Sequence, residues 1–185
     1  RDDNWDRSSR FAVIEKGEGA NMPRLIATLS TIYRSPDDIT PLPFEKVFAD
    51  VIADDVITSN SIESSKLASH HPDETIQHLA FLAMVRAEFG QAYQFGANYV
   101  YLQTEQFIID LLKDTGVPHS VIGGLISCQE FRDKPTELFP VRSDVNEILR
   151  DRKDGLLAPL VQFYLEGIES HLGLGFFGRD LITPL

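Results

Sequence analysis

The chain has 185 residues, 43% of them apolar and 24% charged, which is the composition of an ordinary globular domain. Its formal net charge of −11 argues against a general nucleic-acid binder, because such a protein needs a dominant basic field. The single cysteine, Cys128, excludes an internal disulfide and a metal site built from cysteines. We expect one domain over residues 1–185, in a reducing compartment such as the cytoplasm, with no membrane-spanning helix.

The N-terminal part of the chain predicts an antiparallel hairpin and then an irregular loop. Residues 11–14 and 25–33 are apolar or β-branched runs joined by a loop that contains Gly and Asn, a pattern typical of a hairpin. Three prolines between residues 36 and 43 exclude regular structure there. Residues 44–52 then predict one or two turns of helix.

The centre of the chain, residues 61–126, predicts a strand, a long helix, a strand, a helix and a strand. Asp73 is the expected N-cap of the long helix, and Gly96 lies where a glycine commonly ends a helix. Strands that alternate with helices of this length favour βαβ units and a parallel pair of strands. In order, these elements are predicted over residues 61–67, 75–97, 98–104, 105–115 and 120–123.

The C-terminal part predicts shorter elements. Residues 125–131 and 138–141 are candidate strands, and Ser143 is the expected N-cap of a further helix. Residues 156–172 predict an amphipathic helix, and the glycine-rich apolar tail up to residue 185 suggests self-association or contact with a membrane surface. The sequence leaves the oligomeric state open.

Sequence motifs of several common sites are missing. The chain has no GxxxxGK[ST] phosphate loop and no GxSxG nucleophile elbow, and residues 17–19 lack the third glycine of a dinucleotide site. His70 and His71 are adjacent, so on regular structure they face different ways and lack the spacing of a zinc site. We therefore expect no metal, and we interpret the two histidines as part of a turn.

Four short motifs follow one another in an order that resembles a known family. They are Asp-Asn-Trp-Asp at 3–6, a strand at 28–33, Glu-Ser-Ser-Lys at 63–66, and Leu-Leu, Gly-Val-Pro and Ile-Gly at 111–123. This order resembles the GNAT acyltransferase fold, an α/β fold with a central twisted mixed sheet flanked by helices. Within that fold it is similar to the bacterial acyl-homoserine lactone (autoinducer) synthases and their relatives, the N-acyl amino acid synthases. That family's N-terminal elements are expected to lie before residue 1 or not to be represented.

Two departures from the family pattern bear on the acceptor substrate. The lactone synthases carry arginines where this chain has Ser30 and Lys66, and an arginine offers a planar fork that suits a carboxylate. The resemblance therefore favours an amino acid acceptor over S-adenosylmethionine, as in the long-chain N-acyl tyrosine synthases. It implies an enzyme that takes a long-chain acyl group from acyl carrier protein. A lactone synthase and a non-catalytic acyl-binding module of GNAT fold stay open as alternatives.

The resemblance also implies roles for individual residues in the reaction. Glu63 is expected to be the general base for the acceptor's amino group, and Asp6 to anchor its ammonium beside Trp5. The alternative for Glu63 is an ion pair with Lys66, and the alternative for Asp6 is a solvated acidic segment. Backbone N–H groups near Lys66, Leu67 and Ala68 are expected to face the developing oxyanion.

We expect an apolar tunnel for the acyl chain, although plain core packing is the alternative for each wall residue. The acyl-phosphopantetheine of acyl carrier protein is the expected donor, with no tightly bound cofactor. The carrier protein is expected to dock on the basic region, whose alternative is a solvated surface. The expected substrate-binding residues are Trp5, Ser30, Ser65, Leu67, Phe81, Met84, Leu102, Thr104 and Phe107, with Val85 as a further wall. The basic region consists of Arg132, Lys134, Arg142, Arg150, Arg152 and Lys153.

Overall fold

A computed structural model of the chain describes residues 8–15, 23–52, 60–114, 116–128 and 135–150. It is a mixed β-sheet flanked by helices, so the predicted α/β class is confirmed, and so is the predicted hairpin. The elements in chain order are β1 (Ser8–Glu15), β2 (Arg24–Arg34), α1 (Pro43–Val47), β3 (Ser61–Ser69), α2 (Glu74–Gln94), β4 (Tyr99–Thr104), α3 (Gln106–Asp114), β5 (Ser120–Val121), β6 (Ile126–Cys128), β7 (Thr136–Asp144) and α4 (Val145–Arg150).

The strands follow the order β1-β2-β3-β4-β7-β5, and β6 pairs with β7. β3 and β4 are parallel neighbours connected through α2, which is the predicted βαβ unit. β7 is antiparallel to both β4 and β5 and lies between them. The second strand–helix–strand unit, β4-α3-β5, therefore does not form an adjacent parallel pair.

The ends of α2 follow from local sequence signals. The Asp73 side chain accepts a hydrogen bond from the backbone N–H of Thr75 at 2.9 Å, as an N-cap does. Gly96 has a φ of +63°, and the N–H of Ala97 bonds to the carbonyl of Ala92 at 2.8 Å. A left-handed glycine with this backbone bond closes a helix in the Schellman motif. Both predicted capping residues are confirmed, and the helix ends at Gln94, three residues before the predicted end.

The predicted N-cap of α4 is wrong by one residue. β7 continues through Asp144, whose Oδ1 accepts hydrogen bonds from the backbone N–H groups of Asn146 and Glu147 at 2.8 and 3.1 Å. Ser143 instead belongs to the strand, where it pairs with Val100 and is fully buried. Strand pairing therefore decides where the helix begins, and a single-sequence capping pattern does not report that pairing.

The two faces of the sheet carry different helices. Side chains on the face that we call the α2 face pack against α2, α3 and α4, and those on the α1 face pack against α1 and the loop after it. The first core includes Ile62, Phe81, Leu82, Val85, Val100, Leu102, Ile109, Leu112, Val141, Val145 and Ile148. The second core includes Ile32, Leu42, Phe44, Phe48 and Tyr101.

Phe107, an expected wall residue, lies on the outward side of α3. Ile109 and Leu112 are buried, whereas Phe107 is 60% exposed. Phe107 precedes Ile109 by two residues, which is about 200° around a helix, so burial of Ile109 turns Phe107 outward. No helix in the described part of the chain is long and apolar enough to cross a membrane. The predicted helix over 156–172 and the tail lie outside the described residues.

Candidate functional site

The parallel strands β3 and β4 separate partway along their length. Their last pair is Ser64 with Leu102, whereas β3 continues to Ser69 and β4 to Thr104. The ladder of the central sheet therefore opens at the carboxyl ends of these two strands. In α/β sheets, the carboxyl ends of parallel strands are where ligands commonly bind.

A β-bulge in β3 lies beside this opening. The register between β2 and β3 shifts between Thr28 and Ser30, because Lys66 and Leu67 together stand opposite Leu29. Lys66 has a φ of +53°, the left-handed conformation that non-glycine residues rarely adopt. A bulge bends its strand and re-aims the side chains after it. The bulge therefore sets the course of β3 over the residues expected to supply oxyanion donors.

Glu63 is wholly buried on the α1 face of β3. Its Oε2 accepts a hydrogen bond from the backbone N–H of Phe44, in the first turn of α1, at 2.9 Å. Lys66 is exposed to solvent three residues further along. The described structure therefore does not support an ion pair between Glu63 and Lys66, and it shows the end of a short helix as one partner of the carboxylate.

The segment that covers Glu63 is fixed at several points. Glu45 accepts from the guanidinium of Arg34 and from the backbone N–H of Leu42, both at 2.5 Å. At the other end, a Cβ on Gly123 would lie 2.4 Å from the carbonyl oxygen of Val51, so only glycine fits there. Residues 42–52 therefore form a tightly docked cover over the α1 face.

The opposite face of β3 holds a carboxyl group that the sequence interpretation missed. Glu88 of α2 is only 4% exposed, and the hydroxyl of Ser64 forms a hydrogen bond with its carboxyl group. Burial raises the pKa of Glu88 to about 7, and the bond from Ser64 opposes that rise. The sequence did carry a signal: Glu88 follows Phe81 by seven residues and precedes Gln91 by three, which places all three on one helix face.

The predicted substrate residues divide between the two faces. Ser30 and Ser65 are half-buried neighbours in the register on the α1 face, two residues beyond Glu63. Leu67 is half-buried and packs on the α2 side, and Phe107 lies apart on the outside of α3. The remaining predicted wall and mouth residues are all buried in the described core: Phe81, Met84, Val85, Leu102 and Thr104.

Several predicted residues lie outside the described part of the chain, namely Trp5, Asp6, Arg132, Lys134, Arg152 and Lys153. Arg150 ends α4, and nothing is described of its side chain. Arg142 is described, and its guanidinium carbon lies 4.7 Å from the ring centroid of Tyr99, a cation–π contact. In the described part, no group of three or more His, Cys, Asp or Glu side chains is arranged to hold a metal ion.

Comparisons with known proteins identify the fold. No protein-family model and no curated protein matches the sequence. The solved structure of TofI in its apo form matches with a TM-score of 0.52 and 19% identity, over 70% of this chain and 65% of TofI. BjaI, a CoA-dependent acyl-homoserine lactone synthase solved with MTA, matches with a TM-score of 0.53 and 16% identity, over 82% of this chain and 67% of BjaI.

FeeM, an N-acyl amino acid synthase from uncultured soil microbes, matches with a TM-score of 0.49 and 14% identity, over 76% of this chain and 74% of FeeM. This match gives no argument for one acceptor over another. The chain spans 61% of TofI in its inhibitor complex with MTA, and therefore less than two thirds of that protein. At such identities the likeness establishes the fold alone, and the predicted similarity to the fold of the acyl-homoserine lactone synthases is confirmed.

Proposed function

We propose that the chain is an N-acyltransferase that moves a long-chain acyl group from acyl carrier protein to the α-amino group of a tyrosine-like amino acid. The observation that carries the proposal is the opening between β3 and β4 beside the buried carboxylate of Glu63. An acyl thioester held in that opening would meet a carboxylate on one side and the backbone of the Lys66 bulge on the other.

The chemistry requires a base and an oxyanion site. The acceptor's ammonium must lose a proton before its nitrogen attacks the thioester carbonyl, and Glu63 takes that proton directly or through one water. Attack forms the C–N bond and places negative charge on the carbonyl oxygen, which backbone N–H groups near Leu67 and Ala68 stabilise. The attached nitrogen loses a second proton, the C–S bond breaks and the leaving sulfur gains a proton, giving an amide and a free thiol.

An amino acid acceptor also has a carboxylate, and the α1 face offers a cation for it. Arg10 of β1 stands directly opposite Ser30 in the register, and Ser30 in turn pairs with Ser65 of β3. These three residues follow Glu63 along the same face of the sheet, because alternate residues of a strand share a face. Arg10 thus restores a guanidinium next to the position where Ser30 lacks one, and it suits bidentate binding of a carboxylate.

The donor is assigned to the other face. Phe81, Val85 and Leu102 pack in one apolar cluster on the α2 face, next to the point where the strands separate, and Met84 packs in the neighbouring cluster with Leu29 of β2. These clusters are chemically suited to a long acyl chain, and Thr104 lies at the end of β4, where the thioester arm would enter. We assign docking of the acidic carrier protein to the basic region, of which Arg142 is the described member.

The test is product analysis. Bacteria that express the intact chain are compared with bacteria that express the Glu63→Gln variant and with an empty-vector control, by lipid extraction and mass spectrometry. Long-chain N-acyl amino acids in the first culture alone are the expected result, and their masses identify the acceptor. Products in equal amount from Glu63→Gln would remove Glu63 from the mechanism.

The second candidate is an acyl-homoserine lactone synthase, which the Glu-Ser-Ser-Lys motif at 63–66 favours because it resembles the Glu-x-Ser-Arg of those enzymes. N-acyl-homoserine lactones in the extract would select it. A culture without either product, from a chain that still binds a long-chain acyl thioester, would instead indicate a non-catalytic acyl-binding module.

A further inference from the structure

A row of hydroxyl groups crosses the α2 face of the sheet. Ser9 of β1 pairs with Thr31 of β2, Thr31 pairs with Ser64 of β3, and Ser64 pairs with Leu102 of β4. Residues that face each other in neighbouring strands point to the same side of a sheet. The row therefore leads from the edge strand to the last rung before β3 and β4 separate.

Two polar side chains of α2 lie over this row, and they differ in how well they are satisfied. Gln91 accepts a hydrogen bond from the hydroxyl of Thr31 and donates one to the hydroxyl of Ser9, the latter at 2.6 Å. Glu88 has the hydroxyl of Ser64 as its partner, and its Oε1 has no hydrogen-bond partner among the described residues. A buried polar atom without a partner is costly, so this oxygen calls for an explanation.

The surroundings of Glu88 keep it close to half-protonated at neutral pH. Burial is the largest cause of its raised pKa of about 7, and the Ser64 bond acts in the opposite direction. Arg86 is the nearest cation along α2, but it is two residues away and so about 200° around the helix. A carboxyl group titrating near the working pH is suited to exchange protons during a reaction.

Ser64 places this carboxyl group next to the opening, on the side opposite Glu63. Consecutive residues of a strand point to opposite faces, so Glu63 faces α1 while Ser64 faces α2 and Glu88. In the proposed function the amine approaches from the α1 face and the acyl chain lies on the α2 face. A group that serves the departing thiol is needed on the donor side, and among the described residues Glu88 is the buried carboxyl group on that side.

Building on the proposed function, we propose that Glu88 is a second catalytic residue, which protonates the sulfur of the leaving pantetheine. As the C–N bond forms and the C–S bond breaks, the Glu88 carboxyl proton passes to sulfur and yields the thiol. The acceptor nitrogen loses two protons, one from the ammonium before attack and one after the C–N bond has formed, and both pass in turn through Glu63 to solvent. Glu88 regains one proton from solvent before the next cycle, so one proton is released per turnover and charge balances. Ser64 is a positioning residue that orients the Glu88 carboxyl group.

The sharpest test varies the leaving group. A palmitoyl thioester of pantetheine and the palmitoyl ester of thiophenol are compared as donors to tyrosine with the full chain. An aryl thiolate has a low pKa and leaves without protonation, whereas an alkyl thiolate benefits from it. We expect Glu88→Gln to lose roughly 100-fold in kcat/KM with the pantetheine donor and less than about 5-fold with the aryl donor.

The pH profile gives a second readout. With the pantetheine donor, the wild-type rate should fall as pH rises through the pKa of Glu88, about 7, because the proton donor is lost. Glu88→Gln should lack that limb, and Ser64→Ala should shift it to higher pH, because the bond from Ser64 lowers the pKa. Gln91→Met, which removes the neighbouring buried polar group on the same helix, is the matched control and should keep the limb and the leaving-group ratio.

The outcomes distinguish failure of the Glu88 proposal from failure of the proposed function. Equal losses with both donors, or a limb near pH 7 that persists in Glu88→Gln, would assign Glu88 a structural role and leave the acyltransferase function standing. Failure of the wild-type chain to acylate tyrosine or any other amino acid with either donor, and also with palmitoyl-acyl carrier protein, would refute the proposed function itself, and the role of Glu88 with it.

Discussion

A carboxyl group is buried on each face of β3, and the two groups have different kinds of hydrogen-bond partner. On the α1 face, Glu63 lies at the beginning of a helix and accepts a backbone N–H from Phe44 at 2.9 Å. On the α2 face, Glu88 projects from the middle of a helix, where every backbone N–H is already used, and its partner among the described residues is the hydroxyl of Ser64. A helix end offers fixed donors to an anion, whereas a helix side offers only what the neighbouring strand presents.

This difference suggests different roles for the carboxyl groups of Glu63 and Glu88. Glu63 is held by its contact with α1, so its position depends on the docked cover over residues 42–52. Glu88 is held by its own helix, and its protonation depends on burial and on one hydroxyl. Substitutions that separate charge from shape at each site can therefore test the two faces independently.

The largest effect is expected from Glu63→Gln. The amide is isosteric, and its oxygen can still accept the N–H of Phe44, but it cannot take a proton from the acceptor amine. We expect the acylation rate to fall by about 10²- to 10⁴-fold with little change in thermal stability. Kinetics of the purified variant and its melting temperature measure the two.

Glu45→Gln is the matched control for that substitution. It changes a carboxylate on the same cover, where Glu45 binds Arg34, but it leaves the base in place. Activity should change less than about 3-fold, since the amide oxygen of the substituted side chain can still accept from Arg34 and from the backbone N–H of Leu42. Should Glu45→Gln and Glu63→Gln reduce the rate equally, the effect would come from the cover and not from a base.

The second effect concerns stability and pH on the α2 face. The pKa of Glu88 rises from 4.5 to about 7 on folding, so between these pH values the folded state keeps a proton that the unfolded state has lost. This group therefore makes the free energy of unfolding decrease as pH rises through that window. We therefore expect the unfolding free energy of Glu88→Gln minus that of wild type to increase by about 3 kcal/mol from pH 4.5 to pH 7.5.

Urea denaturation of both proteins across this pH range measures the difference. Other carboxyl groups contribute equally to the two proteins and cancel in the comparison. A constant difference between wild type and Glu88→Gln at all pH values would mean that Glu88 keeps its ordinary acidity when folded, and the acid role on the donor side would lose its physical basis.

Local signals predicted much of this fold. The Asp73 cap, the left-handed Gly96 and the alternation of β3 are properties of neighbouring residues, so the helix and strands around the opening could be placed from sequence. Long-range pairing was less accessible. The insertion of β7 between β4 and β5 depends on residues distant in the chain, and it also moved the α4 cap from Ser143 to Asp144.

The candidate site was predicted unevenly for the same reason. Glu63 was found through a motif, but its bond to Phe44 joins elements about twenty residues apart and has no local signature. Glu88 was overlooked because an apolar helix was interpreted as core alone. Its burial depends on which side of α2 meets the sheet. Phe81, Glu88 and Gln91 lie on one side of the helix, but this predicts burial of Glu88 only once Phe81 is known to point inward.

A smaller effect on stability is expected from substitutions at Lys66, in the bulge of β3. Lys66 is exposed and has a φ of +53°, so its side chain contributes little packing while its backbone is strained. Valine tolerates this conformation poorly, and we expect Lys66→Val to cost about 1–2 kcal/mol of unfolding free energy. Lys66→Gly should be close to neutral, since glycine adopts positive φ freely.

These two variants also bear on the opening between β3 and β4. If the bulge shapes the oxyanion site, Lys66→Val should lower kcat while Lys66→Gly retains most of it, in spite of both having lost the amine. Equal kcat in the two variants, at half of wild type or less, would instead attribute the loss to the lysine side chain itself.

The smallest effect is expected from a substitution at the N-cap of α2, which tests whether the stability of the helix depends on the charge of Glu88. Asp73→Ala removes the N-cap bonds to Thr75 and Ile76 at the exposed start of the helix, which should cost about 1 kcal/mol. Because this cap lies four turns from Glu88, the loss should be the same at pH 6 and pH 7.5 and should leave the leaving-group ratio unchanged. The loss of unfolding free energy in Asp73→Ala could instead grow with pH, in step with the pH-dependent effect of Glu88. The two ends of α2 would then be coupled, and opening of the helix, not burial of one carboxyl group, would set the pH dependence of stability on this face.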